Sequence, residues 1–80
     1  MEKGQKIIID RINELCLERN MSYYVLAYRS AVPQTTLSNI MHGISKNPGI
    51  LTIFKICDGL GISPAEFFNT NDFLELAENE

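Results

Sequence analysis

Residues 26–40 read LAYRSAVPQTTLSNI, a stretch that predicts two short helices with different surface chemistry. The first half has the apolar spacing of an ordinary helix. The second half opens at Pro33 and continues with Gln, Thr, Thr, Ser and Asn. A helix face that merely contacts solvent is usually rich in charged residues such as Lys and Glu. An outer face made of uncharged hydrogen-bonding groups therefore indicates a specific role.

The composition indicates one small domain without disulfides. Eighty residues with 45% hydrophobic content can fill a single core. Cys16 and Cys57 lack the close spacing of zinc ligands, so we expect buried thiols in a reduced, cytoplasmic protein. The charged, helix-patterned start is unlike a signal peptide, and no run approaches the roughly 18 apolar residues of a membrane span.

The net charge of −3 is unevenly distributed along the chain. Residues 70–80 contain four acidic side chains and no basic one, whereas residues 1–69 contain seven basic and six acidic ones. A weakly positive body can still bind DNA, although electrostatic attraction contributes only modestly. We expect a domain over 1–69 and an acidic tail over 70–80, whose apolar residues favour a marginal helix capped by Asn71 or Asp72.

Five helices with short connections are predicted, and no segment shows the alternating pattern of a strand. They cover about residues 5–19, 23–30, 33–41 and 51–60, with a short fifth helix from Pro64. Ser22 and Ser63 provide N-cap hydroxyls for the second and fifth helices. Pro33 is suited to the first helical position of the third helix. Gly43 and Gly61 end the third and fourth helices.

The third helix has an apolar side and a polar side. At about 100° per residue, one side collects the core-type residues Pro33, Leu37, Ile40 and Met41. The outer side and its flanks collect Gln34, Thr35, Thr36, Ser38, Asn39 and His42. Amide and hydroxyl side chains both donate and accept hydrogen bonds, which suits base edges in a DNA major groove.

Several residues around this helix follow a known pattern. They are the Leu26-Ala27 pair, Val32, Leu37, Ile40, Gly43, Asn47-Pro48, and the run from Thr52 through Ile53, Ile56 and Leu60 to Gly61. With these positions, residues 21–68 resemble the helix-turn-helix domain of the phage-repressor family, of the Cro or XRE type. Ala31 departs from the glycine usual in the turn, and Cys57 stands where the family often has alanine. The resemblance implies an all-α, compact five-helix lambda-repressor-like bundle, with room for a short extra C-terminal helix.

The resemblance also implies which side chains contact DNA. By position, the base-reading residues are Gln34, Thr35, Ser38 and Asn39. The residues expected to contact phosphate are Ser22, Tyr23, Arg29, Lys46 and Asn47. Phosphate contacts set the register on the duplex, and only the third helix would read sequence.

The expected function is that of a sequence-specific transcriptional regulator of the repressor type, bound to double-stranded DNA as a homodimer. The alternative is a protein-interaction module of the same fold, such as an antitoxin-like partner whose tail binds another protein. The dimer patch is expected among Phe67, Phe68, Phe73, Leu74 and Leu76, unless the tail folds back over its own core. Because no phosphate-binding glycine loop, carboxylate pair or catalytic partner of His42 appears, we expect no enzymatic activity, cofactor or metal site.

Overall fold

Six helices form the protein in a computed structural model that describes residues 2–78. They are α1 (Lys3–Glu18), α2 (Tyr23–Ser30), α3 (Gln34–Met41), α4 (Ile50–Leu60), α5 (Pro64–Phe68) and α6 (Asn71–Glu78). No strand occurs in the described range, so the all-α prediction and the extra C-terminal helix are confirmed. Residues 79 and 80 of the predicted tail lie outside this range. Among the described residues, no helix combines the length and apolar character needed to cross a membrane.

The starts of α2 and α5 follow the predicted caps, and the start of α3 differs from the prediction. The Ser22 hydroxyl accepts a hydrogen bond from the Val25 N–H at 3.2 Å, and the Ser63 hydroxyl accepts one from the Glu66 N–H at 3.0 Å. Pro33 occupies the N-cap position of α3 and not the first helical position. Its ψ of 139° is extended, so the helical backbone begins one residue later than predicted.

A single apolar core lies between the helices. Its most deeply buried side chains are Ile12, Leu26, Leu37, Ile40, Ile56, Cys57 and Phe67. Each fully buried Leu, Ile or Phe contributes on the order of 1.5–3 kcal/mol relative to an exposed one. Because α3 contributes Leu37 and Ile40 to this core, its inner face is held in place and its opposite face is held towards solvent.

The helices α2 and α4 cross at very close range. A Cβ atom built on Gly59 would lie 2.1 Å from the Ser30 Oγ atom and 2.9 Å from the Ser30 backbone nitrogen. Only glycine fits at this crossing, because real Cβ atoms do not approach other atoms so closely. This contact fixes α2 on α4 and so positions the turn that leads into α3.

Arg11 of α1 and Arg19, which directly follows α1, bind the carbonyl ends of other helices. The Arg11 Nε and Nη2 atoms donate to the carbonyls of Phe67 at 2.8 Å and Glu66 at 2.9 Å, at the end of α5. The Arg19 Nε atom donates to the Leu60 carbonyl at 2.8 Å, at the end of α4. Basic groups stabilise helix C-termini by satisfying free carbonyls and interacting with the helix dipole. These arginines therefore serve the fold.

The helix α6 folds back against the body of the chain. The Phe73 ring lies 6.0 Å from the ring of buried Phe67 and 4.9 Å from that of Phe68, measured between centroids. Leu76 approaches α1, since a Cβ atom built on Gly4 would lie 3.5 Å from a Leu76 methyl group. Of the two outcomes expected for the tail, the single chain adopts the folded-back one.

The start of α6 corrects a detail of the prediction. The Thr70 hydroxyl accepts a hydrogen bond from the Phe73 N–H at 3.4 Å, which is the N-cap role expected of Asn71 or Asp72. No side chain of α6 is fully buried, and Leu74 is 57% exposed. The helix is therefore held by one face.

Candidate nucleic-acid interface

A tight turn joins α2 to α3. Ala31 adopts a left-handed backbone, with φ 54° and ψ 37°, where the resemblance implied glycine. For a non-glycine residue this conformation costs on the order of 1 kcal/mol. The Val32 N–H donates to the Ala27 carbonyl at 3.1 Å, and the buried Val32 side chain anchors the turn in the core. The turn thus directs α3 along the surface of the bundle.

The outer face of α3 carries the predicted base-reading side chains. Gln34, Thr35 and Asn39 are exposed, and Ser38 is half-buried. All four lie on one helix of eight residues whose opposite face is buried, so they share a rigid support. The structure therefore brings the four together on one uncharged, hydrogen-bonding surface.

His42 lies at the C-terminal end of this surface. Its Nδ1 atom is 3.1 Å from the Ser38 hydroxyl and 2.9 Å from the Ser38 backbone carbonyl. With Nδ1 protonated, the ring donates to that carbonyl and leaves the Ser38 hydroxyl free to rotate. The imidazole thus lies against one predicted base reader, a contact that the sequence did not indicate.

The start of α2 presents the first pair of predicted phosphate contacts. The Ser22 hydroxyl already accepts from the Val25 N–H, so it has its own hydrogen left to donate. The Tyr23 hydroxyl donates to the Asn13 Oδ1 atom of α1. That bond ties α2 to α1, and Tyr23 could then offer phosphate its backbone N–H at the positive end of the helix.

The remaining residues predicted to contact phosphate lie towards the two ends of α3. Arg29 is exposed in the last turn of α2, before the turn. Lys46 and Asn47 are exposed in the loop after α3. Arg29 and Lys46 are the basic residues between positions 22 and 47, so the positive charge of this surface is small.

A side chain from α1 holds the loop that carries Lys46. Gln5 is 7% exposed, and its amide nitrogen donates to the carbonyls of Gly43 at 2.9 Å and Ser45 at 3.2 Å. Gln5 belongs to no motif in the sequence. The available signal was its spacing, since it lies four and seven residues before Ile9 and Ile12 on the buried stripe of α1.

The loop also bonds back to α3. The backbone N–H groups of Ile44 and Ser45 both donate to the Asn39 carbonyl, at 2.9 and 3.0 Å. Gly43 has a φ of 76°, the left-handed conformation that allows the chain to reverse directly after the helix. The loop is therefore anchored from both α3 and α1, while the Asn39 side chain stays exposed.

In residues 2–78, no group of three or more His, Cys, Asp or Glu side chains is arranged to hold a metal ion. Cys16 and Cys57 are buried free thiols. Burial raises the pKa of both thiols, an effect that nearby Arg19 opposes at Cys16. These groups are accordingly part of the core.

Comparison with known proteins agrees with this geometry. A family model described as a Cro/C1-type HTH DNA-binding domain matches residues 11–72, which include α2, the turn and α3. The chain belongs to this Cro/C1-type family. The match covers most of the chain, and the family is one of DNA-binding domains.

A solved structure supports the same assignment. The crystal structure of the prophage Lp1 protein 11 is similar to this Cro/C1-type chain, with a TM-score of 0.80 and 30% sequence identity. The alignment covers 91% of this chain and 96% of the prophage protein. A comparison with curated proteins found no match.

Proposed function

We propose that the protein is a sequence-specific DNA-binding transcriptional regulator of the repressor type, in which α3 reads the major groove. The observation that carries the proposal is the exposed polar face of α3, which a Cro/C1-type domain presents on a buried apolar support. A DNA-bound role would also put the protein in the cytoplasm, as expected from the sequence.

The side chains on α3 would divide the recognition between them. Gln34, at the exposed N-terminal end, has an amide that can pair bidentately with adenine. The Asn39 amide has the same chemistry five residues further along the helix. Thr35 and Ser38 supply hydroxyls, which bond to several bases and so add less discrimination.

The phosphate contacts would flank α3 on both sides. Ser22 and Tyr23 would bind one strand through the start of α2, helped by Arg29. Lys46 and Asn47 would bind the other side of the groove from the loop after α3. Few basic groups are involved, so phosphate attraction alone gives weak binding and base contacts matter more.

Useful specificity would require two copies. One such motif reads few base pairs, and a two-fold dimer would place its recognition helices about 34 Å apart on a pseudo-palindromic site. Such a dimer needs a self-complementary apolar patch. The tail offers less than expected because Phe73 and Leu76 already contact the chain's own core and α1.

The start of α4 is the better candidate for the contact with a second copy. Its apolar side chains Ile50, Leu51 and Phe54 are 55%, 70% and 42% exposed. Lys55 and Asp58 lie three residues apart on the exposed side of this helix. A two-fold axis could therefore bring Lys55 of one copy close to Asp58 of the other.

Light scattering of single variants distinguishes the two surfaces. Leu51→Glu should shift the protein from dimer to monomer, whereas the matched change Leu74→Glu in α6 should leave the dimer intact. If Leu74→Glu gave monomers and Leu51→Glu did not, the dimer interface would lie on the tail. If wild type bound operator DNA as a monomer, the homodimer would be refuted.

The protein-interaction role of the acidic tail, including an antitoxin-like role, is the alternative. In this view, residues 70–80 would form a segment separate from the binding domain over 1–69. Leu74 is the exposed large apolar side chain of α6 and so the one available to a partner. A partner that binds the tail of wild type but not of Leu74→Glu would support this role, which is compatible with DNA binding.

Selection from a pool of random DNA tests the main proposal. The purified chain should enrich one pseudo-palindromic sequence and bind it at least about 10³-fold more tightly than a scrambled duplex at physiological salt. Recovery of unrelated sequences, or equal affinity for selected and scrambled DNA, would contradict sequence-specific regulation.

A further inference from the structure

The amide of Gln5 bridges two segments that are far apart in sequence. It lies in the first turn of α1, and its Nε2 atom donates to the carbonyls of Gly43 and Ser45, 38 and 40 residues along the chain. An amide nitrogen carries two hydrogens, so both carbonyls can be satisfied at once. The side chain itself is 7% exposed, so it is held against the body of the protein.

The bridge adds a second anchor directly before Lys46, besides the bonds from the loop to the Asn39 carbonyl. Lys46 follows Ser45 directly, so the second hydrogen bond holds the peptide unit that leads into it. A cavity of about 340 Å³ opens beside this point, lined by Glu2, Gln5, Gly43 and Lys46. The cavity leaves the loop room to move towards α1, so packing alone does not fix its position.

We propose that Gln5 is a positioning residue for phosphate binding: its amide holds the loop after α3 so that Lys46 meets the DNA backbone. Gln5 itself touches no DNA. The inference rests on the proposed function, because it assumes that Lys46 contacts phosphate.

The chemistry of glutamine is specific to this role. Gln5→Met keeps nearly the same length and shape and a similar helix propensity, but it removes both donors. The loop would then keep only its backbone hydrogen bonds to the Asn39 carbonyl. The Ser45 carbonyl next to Lys46 would lose its partner, while α1 remains packed. Gln5→Glu is a less clean variant because its carboxylate would also attract Lys46 and repel DNA.

A double-mutant cycle tests the proposal. Wild type, Gln5→Met, Lys46→Ala and the double variant are titrated with the selected duplex and its scrambled counterpart over a series of salt concentrations. Circular dichroism establishes that each variant is folded under these conditions. Ile12→Val, a change in the core of α1, serves as a control for lost stability without a change at the loop.

Lys46→Ala should weaken binding about tenfold on both duplexes, as expected for a lost charge-assisted contact. The slope of log K against log salt should become shallower by about 1. Gln5→Met should reproduce most of the loss and of the slope change, and the double variant should bind no worse than Lys46→Ala. Ile12→Val should lower the melting temperature without changing either quantity.

Three results would overturn the inference. Gln5→Met could lower the melting temperature but leave affinity and salt slope unchanged. The losses of the single variants could add fully in the double variant, which would make Gln5 and Lys46 independent. Lys46→Ala could leave the salt slope unchanged, so that there is no contact to position. Failure of wild type to distinguish the selected duplex would instead refute the proposed function.

Discussion

The crossing of α2 with α4 and the outer face of α3 differ in how much change each can tolerate. At the crossing, Gly59 lies so close to Ser30 that a Cβ atom on residue 59 does not fit. On α3, Gln34, Thr35 and Asn39 project into solvent. Substitutions at the crossing are limited by close packing, whereas the exposed side chains of α3 have no packing contacts that a substitution could remove.

This difference separates stability from binding. A change at the crossing alters the position of α2, and with it the turn and α3, so it should reduce stability. A change on the outer face of α3 leaves the core intact and should affect only what the helix contacts. The variants below test whether the two properties separate in this way.

The largest effect is expected for Gly59→Ala. Its new Cβ would lie 2.9 Å from the Ser30 backbone nitrogen, so the helices must move apart, at a cost of about 2–3 kcal/mol. Urea unfolding measures this loss. Gly49→Ala is the matched control, since nothing lies within 4 Å of its Cβ position, and it should change stability by less than about 1 kcal/mol.

Ser30→Ala refines this prediction. The Ser30 hydroxyl is buried and, within the described residues, has no hydrogen-bond partner. Its removal should be neutral or slightly stabilising, and it should relieve only part of the damage from Gly59→Ala because the backbone contact remains. Complete rescue in the double variant would show that the crossing is less constrained than the distances indicate.

Ala31→Gly is expected to stabilise the protein, by less than Gly59→Ala destabilises it. The left-handed backbone at Ala31, with φ 54°, is strained for alanine, and relief of the strain outweighs the greater flexibility of glycine in the unfolded chain. The free energy of unfolding should rise by about 0.5–1 kcal/mol in urea titrations. Asn20 has a similar φ of 51°, but asparagine tolerates it, so Asn20→Gly should change little. A loss of stability in Ala31→Gly would show that the left-handed backbone at Ala31 is not strained.

The smallest effect concerns the buried thiols. Burial raises the pKa of Cys57 above that of the unfolded chain, so the native thiol keeps its proton while the unfolded thiol ionises first. The contribution of the neutral Cys57 thiol to stability is complete at pH values below the pKa of the unfolded thiol, about 8.5. It is lost as the pH rises through the pKa of the folded thiol. The free energy of unfolding should therefore fall more steeply between pH 8 and 10 in wild type than in Cys57→Ala. Parallel curves would contradict this account.

Much of the fold could be predicted from the sequence because its signals are local. Ser22, Ser63, Gly43 and Gly61 mark helix ends through their own backbone or side-chain preferences, and the structure confirms each. The polar outer face of α3 also follows from helical periodicity alone.

The features that sequence analysis missed depend on contacts between distant residues. Gln5 bonds to a loop 38 residues away, and Arg11 bonds to α5 across 55 and 56 residues. Nothing near either residue in the sequence indicates its partner. The position of the tail is not evident from the sequence for the same reason, since the Phe73 contact with Phe67 and Phe68 depends on the arrangement of the whole bundle.

The most direct test of the central claim, that the outer face of α3 reads DNA sequence, is the binding of Gln34→Ala. Gel-shift titrations compare wild type, this variant and Asn71→Ala, a matched exposed amide on α6, on the selected and the scrambled duplex. Gln34→Ala should weaken binding to the selected site by about 1–3 kcal/mol and leave binding to scrambled DNA and the free energy of unfolding nearly unchanged. Asn71→Ala should change neither affinity. An equal loss for Gln34→Ala on both duplexes, or none on either, would contradict base reading by α3.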